Sequence, residues 1–244
     1  MDTISTDDHA VLDFTVGVPD NTMARAFADD AVIIGNEIQR VVVTSPKTIQ
    51  LSILGLLAEG HILLEDVPGV GKTLLGKTLS GAIDCDFKRI QFTPDLLPTD
   101  ITGTTVFDMK SSIFNFVPGS IFSNIVLSDE INRTGPRTQA ALLEAMAEHQ
   151  VSIEGDVMKL PSPFMVITTQ NLSESHGTFP LPDSQKDRFM ISMGMGLPTP
   201  EQELEILSMS QHGMPEAEPV ISTERIVEMS EMVKRVEVDA KVRQ

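Results

Sequence analysis

The chain has 244 residues, of which 41% are apolar, so it can bury the core of one α/β domain and the start of a second. Its formal net charge of −17 and its lack of Trp and Tyr disfavour nucleic acid as a partner, because phosphates would be repelled and most base-stacking side chains are missing. The single cysteine, Cys85, excludes a disulfide framework. No apolar run is long enough to span a membrane, and the acidic start has no signal-peptide pattern. We therefore expect a cytoplasmic protein without membrane insertion.

The first part of the chain is predicted to form a polar arm and two helices. Residues 1–30 have the composition of an arm that ends in a short helix around Met23–Phe27. A second helix is expected to begin at Ser45, whose side chain can cap it, with Pro46 in its first turn and Gly60 just beyond its end.

The segment from His61 to Thr73, HILLEDVPGVGKT, has the pattern of a phosphate-binding loop between a buried strand and a helix. The backbone N–H groups of such a loop point at the anion, and the helix presents its positive end to it. Lys72 would reach the β- and γ-phosphates, and the Thr73 hydroxyl would hold Mg²⁺. The strict pattern has glycine where this chain has Asp66, and a chance match in a surface loop is the alternative that the flanking strand and helix disfavour. The predicted nucleotide-binding residues are Asp66, Val67, Pro68, Gly69, Val70, Gly71, Lys72, Thr73 and Leu74.

Strands and helices alternate after this loop, which predicts a parallel sheet with helices on both faces. The apolar patterns predict strands at Phe87–Phe92, Ile121–Leu127, Phe164–Thr169 and Met190–Met195, helices at about Thr138–His149 and Ser184–Phe189, a projecting hairpin of Thr104–Asp108 and Ile113–Val117, and a small hairpin that turns at Gly155-Asp156.

Two carboxylates, Asp129 and Glu130, follow the apolar run Ile125–Leu127. Ligands of open α/β sheets bind at the carboxyl ends of the strands, where this pair is expected. Asp129 would hold Mg²⁺, through water, and Glu130 would polarise the attacking water. Two exposed acids at a strand end are a common alternative, which the strand and the preceding phosphate-binding loop disfavour.

The character of the chain changes after Pro198. Thr199, Pro200 and Gln202 form a helix start with a capping box, an acidic linker follows, and a last helix is expected from Glu224 to about Val236.

Six motifs in order resemble those of the MoxR family of AAA+ ATPases, in the helix-2-insert branch, over about residues 30–200. They are HILLEDVPGVGKT, RIQFTPDLLPTDITG, PGSIFSNIVLSDEINR, TQAALLEAMAEHQV, PFMVITTQN and GTFPLPDSQKDRF. The resemblance implies an AAA+ P-loop NTPase core with a parallel five-stranded sheet between helices, a hairpin insert and an incomplete C-terminal helical lid. It divides the chain into an N-terminal arm and short helix (1–30), an α/β nucleotide-binding core (31–197) and the beginning of a lid (198–244).

The resemblance also implies roles for single residues. Asn171 matches the sensor 1 position, with a turn-forming asparagine as the alternative. Arg188 matches the arginine finger that acts on a neighbouring subunit, with a surface ion pair to Asp183 or Asp187 as the alternative. Ile34 and Gly35, in the run Ile33-Ile34-Gly35, match the place where the backbone reaches adenine. Arg133 and Arg137 would face either the adjacent subunit or solvent. In the hairpin, Phe107, Phe114 and Phe116 would either face a substrate or pack on their own domain. None of the later arginines, Arg225, Arg235 and Arg243, is assigned as sensor 2.

The function implied by the resemblance is Mg²⁺-dependent ATP hydrolysis by a ring, expected to be a hexamer. Such a ring would mature or remodel protein complexes as a chaperone, including insertion of metal cofactors, with a protein client and a von Willebrand factor A-domain protein as partners. One alternative is an ATP-regulated binding module whose hydrolysis is negligible because the lid is incomplete. Another is a motor on DNA, which would bind DNA in a salt-sensitive way.

Overall fold

The predicted site lies at the ends of the strands of a five-stranded parallel sheet. The computed structural model describes residues 22–171 and 177–237. In chain order the strands are β1 (Ile62–Glu65), β2 (Phe87–Gln91), β3 (Gly103–Asp108), β4 (Ile113–Pro118), β5 (Ile125–Asp129), β6 (Gln150–Ile153), β7 (Asp156–Lys159), β8 (Met165–Gln170) and β9 (Ile191–Met193). The central sheet has the order β2-β5-β8-β1-β9 with all neighbours parallel, which confirms the predicted fold class.

Helices cover both faces of this sheet. They are α1 (Thr22–Val41), α2 (Pro46–Leu57), α3 (Lys72–Ala82), α4 (Pro98–Thr102), α5 (Pro136–Glu148), α6 (Asp183–Lys186), α7 (Pro200–His212) and α8 (Thr223–Val233), with a 3-10 turn at Ile131–Arg133. Successive side chains of a strand point to opposite faces of the sheet, and so to opposite layers of helices. Leu64 and Ile167 pack against α1, α2 and α3, whereas Leu63 and Val166 pack against α4 and α5.

The first helix is much longer than predicted. The sequence prediction of a short helix around Met23–Phe27 was wrong because α1 continues for 20 residues, across residue 30. Ala31, Ile34, Ile38 and Val41 recur at helical spacing, and their burial against α2 and α3 extends the helix. The predicted arm, residues 1–21, lies outside the described residues.

Other predicted boundaries shift as well, two of them for local reasons. The strand predicted from Ile121 starts at Ile125, because the Ile121 N–H donates to the Ile101 carbonyl and the chain turns between them. The helix predicted at Ser184–Phe189 ends at Lys186, after which i→i−3 turns bring Phe189 into the core.

Both predicted hairpins are confirmed. β3 and β4 pair between α4 and β5, and β6 and β7 pair between α5 and β8. Of the three phenylalanines of the first hairpin, Phe116 packs on its own domain as expected, and a substrate-facing role of Phe107 and Phe114 stays a prediction. The tilted rings of Phe107 and Phe114 contact each other on an exposed face, with centroids 5.0 Å apart, whereas Phe116 packs on Phe122 of the same domain, at 5.5 Å.

The region after residue 197 holds two helices with different surroundings. Thr199 and Gln202 form the predicted capping box of α7, and none of the residues of this helix is buried. In α8, Ile226 and Met229 are fully buried in the core cluster that contains α1, α2 and α3. No helix within the described ranges is long and apolar enough to cross a membrane.

Candidate functional site

The loop between β1 and α3, residues 66–71, forms an open turn and is called the P-loop below. Gly69 and Gly71 adopt φ of +88° and +93°, a left-handed backbone that side chains rarely adopt. A Cβ atom added at Gly69 would meet nothing within 4 Å, so the loop is open above this residue. The glycines are therefore required by the turn itself, which exposes Val67 and Pro68 beside Gly69.

Lys72, the first residue of α3, lies beside the P-loop with its amine partly buried. Its Nζ donates to the Asp66 carbonyl at 2.9 Å. Burial lowers the pKa of Lys72, and the carboxylates of Asp66, Asp129 and Glu130 oppose this shift by Coulomb attraction. The cation of α3 and the acids at the end of β5 therefore share one site. Thr73 is exposed in the first turn of the same helix, and Leu74 packs against the core.

Asp129 and Glu130 are held by the hydroxyl of Thr169 on β8, the neighbouring strand. Thr169 Oγ1 donates to Asp129 Oδ1 at 2.7 Å and accepts the Glu130 N–H at 2.8 Å. Glu130 adopts a left-handed backbone, with φ of +59° and ψ of +51°, which is strained for a residue with a side chain. One hydroxyl thus fixes both acids at the carboxyl end of the sheet.

Three further side chains contact the acids, and the sequence did not assign them to the site. Arg89 donates from Nε and Nη2 to Asp129 Oδ2 at 3.2 and 2.5 Å, while Gln91 Nε2 donates to Glu130 Oε2 at 2.9 Å. Arg133 Nη1 lies 3.2 Å from Glu130 Oε2. Arg89 and Gln91 lie on β2, where Gln91 is in register with Asp129. The sequence shows that Arg89 and Gln91 are two residues apart and so lie on the same side of a strand. It does not show that this strand pairs with β5.

The donor set fits a magnesium–nucleotide complex better than a metal held by protein alone. Mg²⁺ in nucleotide sites keeps several waters and takes one or two protein oxygens besides the phosphates. Asp129 and Thr73 can supply such oxygens, whereas no cluster of three or more His, Cys, Asp and Glu that could hold a metal is found within residues 22–171 and 177–237. Arg89 donates to Oδ2 of Asp129, so a metal or its water ligand at this oxygen would compete with Arg89.

Asn171 directly follows β8, at the same edge of the sheet as Asp129. It is 7% exposed, and its carbonyl accepts a hydrogen bond from Asn132 Nδ2 at 3.2 Å. Asn132 follows the acid pair by two residues, so the segments after β5 and β8 are joined. Its role as sensor 1 stays a prediction.

Arg188 lies on a different part of the domain from the acids. Its Nη1 donates to the Leu143 carbonyl of α5 at 3.1 Å, and the side chain borders a cavity of about 250 Å³ between α5 and α6. Among the described residues, no hydrogen bond or ion pair joins it to Asp183, Asp187 or the P-loop. The surface ion pair weighed as the alternative is therefore not formed, and action on a neighbouring subunit stays a prediction.

Ile34 and Gly35 are buried inside α1. Their main-chain groups lie in the interior of a helix, where N–H and C=O bond along the helix axis. A contact with a base from this segment would thus have to come from side chains, of which Ile33 is exposed. The adenine contact stays a prediction.

The chain matches known proteins over most of its length. The model of the ATPase family associated with various cellular activities (AAA) matches residues 61–191. The uncharacterized protein YeaC of Bacillus subtilis is 48% identical over 85% of this chain and 65% of its own length. Chaperone MoxR1 of Mycobacterium tuberculosis is 42% identical over 80% of this chain and 52% of its own length.

Solved structures match as well. A crystal structure of a candidate ATPase from Cytophaga hutchinsonii superimposes with a TM-score of 0.78 and 36% identity, over 91% of this chain and 70% of that one. The chain spans between about half and two thirds of the length of the curated relatives named above.

Proposed function

Because the chain belongs to the AAA ATPase family and, within it, to the MoxR group, we propose that it binds ATP with Mg²⁺ at the P-loop and hydrolyses it. The observation that carries the proposal is the meeting of one cation and two acids. The Lys72 amine lies within Coulomb reach of both Asp129 and Glu130, at the carboxyl ends of β1 and β5. An ATPase needs a phosphate-binding cation, a metal carboxylate and a group that orients water, all at one place.

Each residue has a defined task in this proposal. The N–H groups of the P-loop and the start of α3 bind the phosphates, and Lys72 donates to the β- and γ-phosphates. Thr73 and Asp129 would hold Mg²⁺, which neutralises charge on the phosphates when bound. Glu130 orients and polarises the attacking water, and Asn171 donates a hydrogen bond to the water or the γ-phosphate.

Both acids already have hydrogen-bond partners, which compete with these tasks. Arg89 holds Asp129, and Glu130 is held by Gln91 and Arg133. Both bonds of Glu130 go to its Oε2, so they compete with water for this oxygen. Hydrolysis is therefore expected to become faster when the contacts of β2 with the acid pair open.

Assembly into a ring completes the site in this proposal. Arg188 would supply a guanidinium to the γ-phosphate bound by a neighbouring subunit, where it neutralises transition-state charge. Its position beside α5, without a bond to the P-loop of its own chain, supports action in trans. We propose a hexamer in the cytoplasm that remodels protein clients, with maturation of metal-containing complexes and a von Willebrand factor A-domain partner as the finer expectations.

Steady-state hydrolysis of Mg-ATP across a wide range of protein concentrations tests the proposal. Specific activity is expected to rise with concentration, because subunits complete each other's sites. Glu130→Gln is expected to bind ATP with little change and to lose turnover. Unchanged turnover in this variant would refute the assigned role of Glu130, and absence of ATP binding by the unaltered chain would refute the function.

A second candidate is an ATP-regulated binding module. The two bonds that hold Glu130, from Gln91 and Arg133, favour it because both compete with water for Oε2 of this carboxylate. ATP would then change the conformation without appreciable turnover. A flat, near-zero rate at all concentrations, together with measurable ATP binding, would favour this candidate.

A further inference from the structure

The segment that leads into α7, residues 194–199, is called the lead-in segment and lies against the P-loop. The Gly196 N–H donates to Asp66 Oδ2 at 2.8 Å. A Cβ atom added at Gly194 would lie 3.4 Å from the same oxygen. Met195 is buried in the core, and its Cε would be 3.8 Å from a Cβ atom at Gly71. The lead-in segment therefore bonds to the first residue of the P-loop and lies close to its last residue.

Asp66 connects this segment to the phosphate-binding lysine. Its Oδ1 accepts the N–H of Val67 at 2.8 Å, its Oδ2 accepts that of Gly196, and its carbonyl accepts the amine of Lys72. The strict P-loop pattern has glycine here. Glycine has no side-chain acceptor, so a strict P-loop could not bond the lead-in segment in this way.

α7 depends on such contacts because it buries none of its own residues. Its far end is followed by a stretch that is bonded to the core, where the Glu218 N–H donates to Glu37 Oε1 at 2.7 Å and the Val220 N–H donates to the Ala82 carbonyl at 2.9 Å. At its near end, the bond from Gly196 to Asp66 is the corresponding contact.

We propose that Asp66 is a positioning residue that ties the start of α7 to the P-loop, so that a change in the loop is transmitted to this helix. When Lys72 turns to a bound phosphate, the Asp66 carbonyl loses its cationic partner and the loop readjusts. The carboxylate of Asp66 carries that readjustment to Gly196. This step rests on the proposed function, whereas the tie itself is a property of the chain without added nucleotide.

Amide hydrogen exchange at Gly196, measured by NMR without nucleotide, tests the tie. Asp66→Ala is expected to raise the exchange rate of this amide by about tenfold or more, since it removes a charge-assisted hydrogen bond. Asp66→Asn keeps one side-chain oxygen and should restore part of the protection. Glu65→Gln is the matched control, because it removes the adjacent charge, which contacts Lys186 and Ser192, and leaves the Asp66 bond in place.

The amides of Leu63 and Leu64 in β1 report whether a variant is folded. Faster exchange confined to the lead-in segment in Asp66→Ala would support the tie. Equal exchange in Asp66→Ala and the unaltered chain, or an equal rise in Glu65→Gln, would overturn it.

A second measurement tests whether a change in the P-loop is transmitted to the lead-in segment of α7. A non-hydrolysable ATP analogue with Mg²⁺ is added at a concentration shown to saturate by fluorescence anisotropy. Exchange in residues 194–199 should then change at least about twofold in the unaltered chain and remain constant in Asp66→Ala. Saturation without any change in the unaltered chain would overturn transmission. Failure of the analogue to bind would instead refute the proposed function, and the measurement without nucleotide would still decide whether the tie exists.

Discussion

Protonation of His61 is expected to make the stability of this protein strongly pH-dependent below neutrality. His61 immediately precedes β1 and is 5% exposed. Its Nδ1 accepts the Val166 N–H at 3.1 Å, so the proton of the neutral ring lies on Nε2, which donates to the Met146 carbonyl at 3.1 Å. A second proton would have to go on Nδ1, where it would face the Val166 N–H.

The structure lowers the pKa of His61 to about 4 from an ordinary value of 6.5. Burial is the main cause, the bond to the Met146 carbonyl opposes it, and the nearby His149 adds to it. The folded chain therefore binds this proton less readily than the unfolded chain. The contribution to stability is complete above pH 6.5 and is lost as the pH falls from 6.5 towards 4. From the linkage between proton binding and folding, this residue alone lowers the free energy of unfolding by about 2 kcal/mol between pH 7.5 and pH 5.0.

Urea unfolding at these two pH values measures the effect. His61→Gln can keep a donor for Met146 and an acceptor for Val166 but cannot titrate, so its free energy of unfolding should change by about 2 kcal/mol less than that of the parent. His212→Gln on the exposed face of α7 is the control for loss of a histidine elsewhere. Equal pH dependence in His61→Gln and the parent would refute the reasoning.

Three further changes test the site and the core. Lys72→Ala should weaken ATP binding at least about tenfold, measured by fluorescence anisotropy, since it removes a charge-assisted contact to phosphate; unchanged affinity would contradict that contact. Gln91→Ala should raise kcat about three- to tenfold at constant KM, because Glu130 loses a hydrogen bond, and a fall in kcat would mean that Gln91 positions Glu130 for catalysis. Leu79→Ala, at a fully buried position, should lower the free energy of unfolding by about 2–5 kcal/mol, and Leu204→Ala on exposed α7 by less than about 0.5 kcal/mol; similar losses in urea unfolding would contradict the observed burial.

Local signals predicted much of the fold. The caps at Ser45 and Thr199 accept hydrogen bonds from the backbone N–H groups three residues later, as their sequence patterns require. The turn glycines and the strand–loop–helix order likewise predicted the P-loop, since a chain reversal of this kind depends on neighbouring residues. The length of α1 was missed because it depends on burial against α2 and α3, which no local pattern contains.

The contacts of the acid pair could not be predicted in the same way. The sheet order β2-β5-β8-β1-β9 places strands side by side that are far apart in the chain. Arg89 and Gln91 precede Asp129 by about 40 residues, and Thr169 follows it by a similar distance. Strand order is a property of the assembled sheet, so the residues that hold the acids become visible only when the three strands are paired.

These contacts decide how the acid pair can coexist and what it can bind. Asp129 and Glu130 are adjacent carboxylates whose side chains are only 16% and 21% exposed, and like charges this close repel each other. Arg89 compensates the first and Arg133 the second. A divalent cation that Asp129 holds, directly or through water, competes with Arg89 for this carboxylate, so the affinity for Mg²⁺ depends on both interactions. The motif contains Asp129 but not its partner on β2, and for this reason the motif alone cannot fix that affinity.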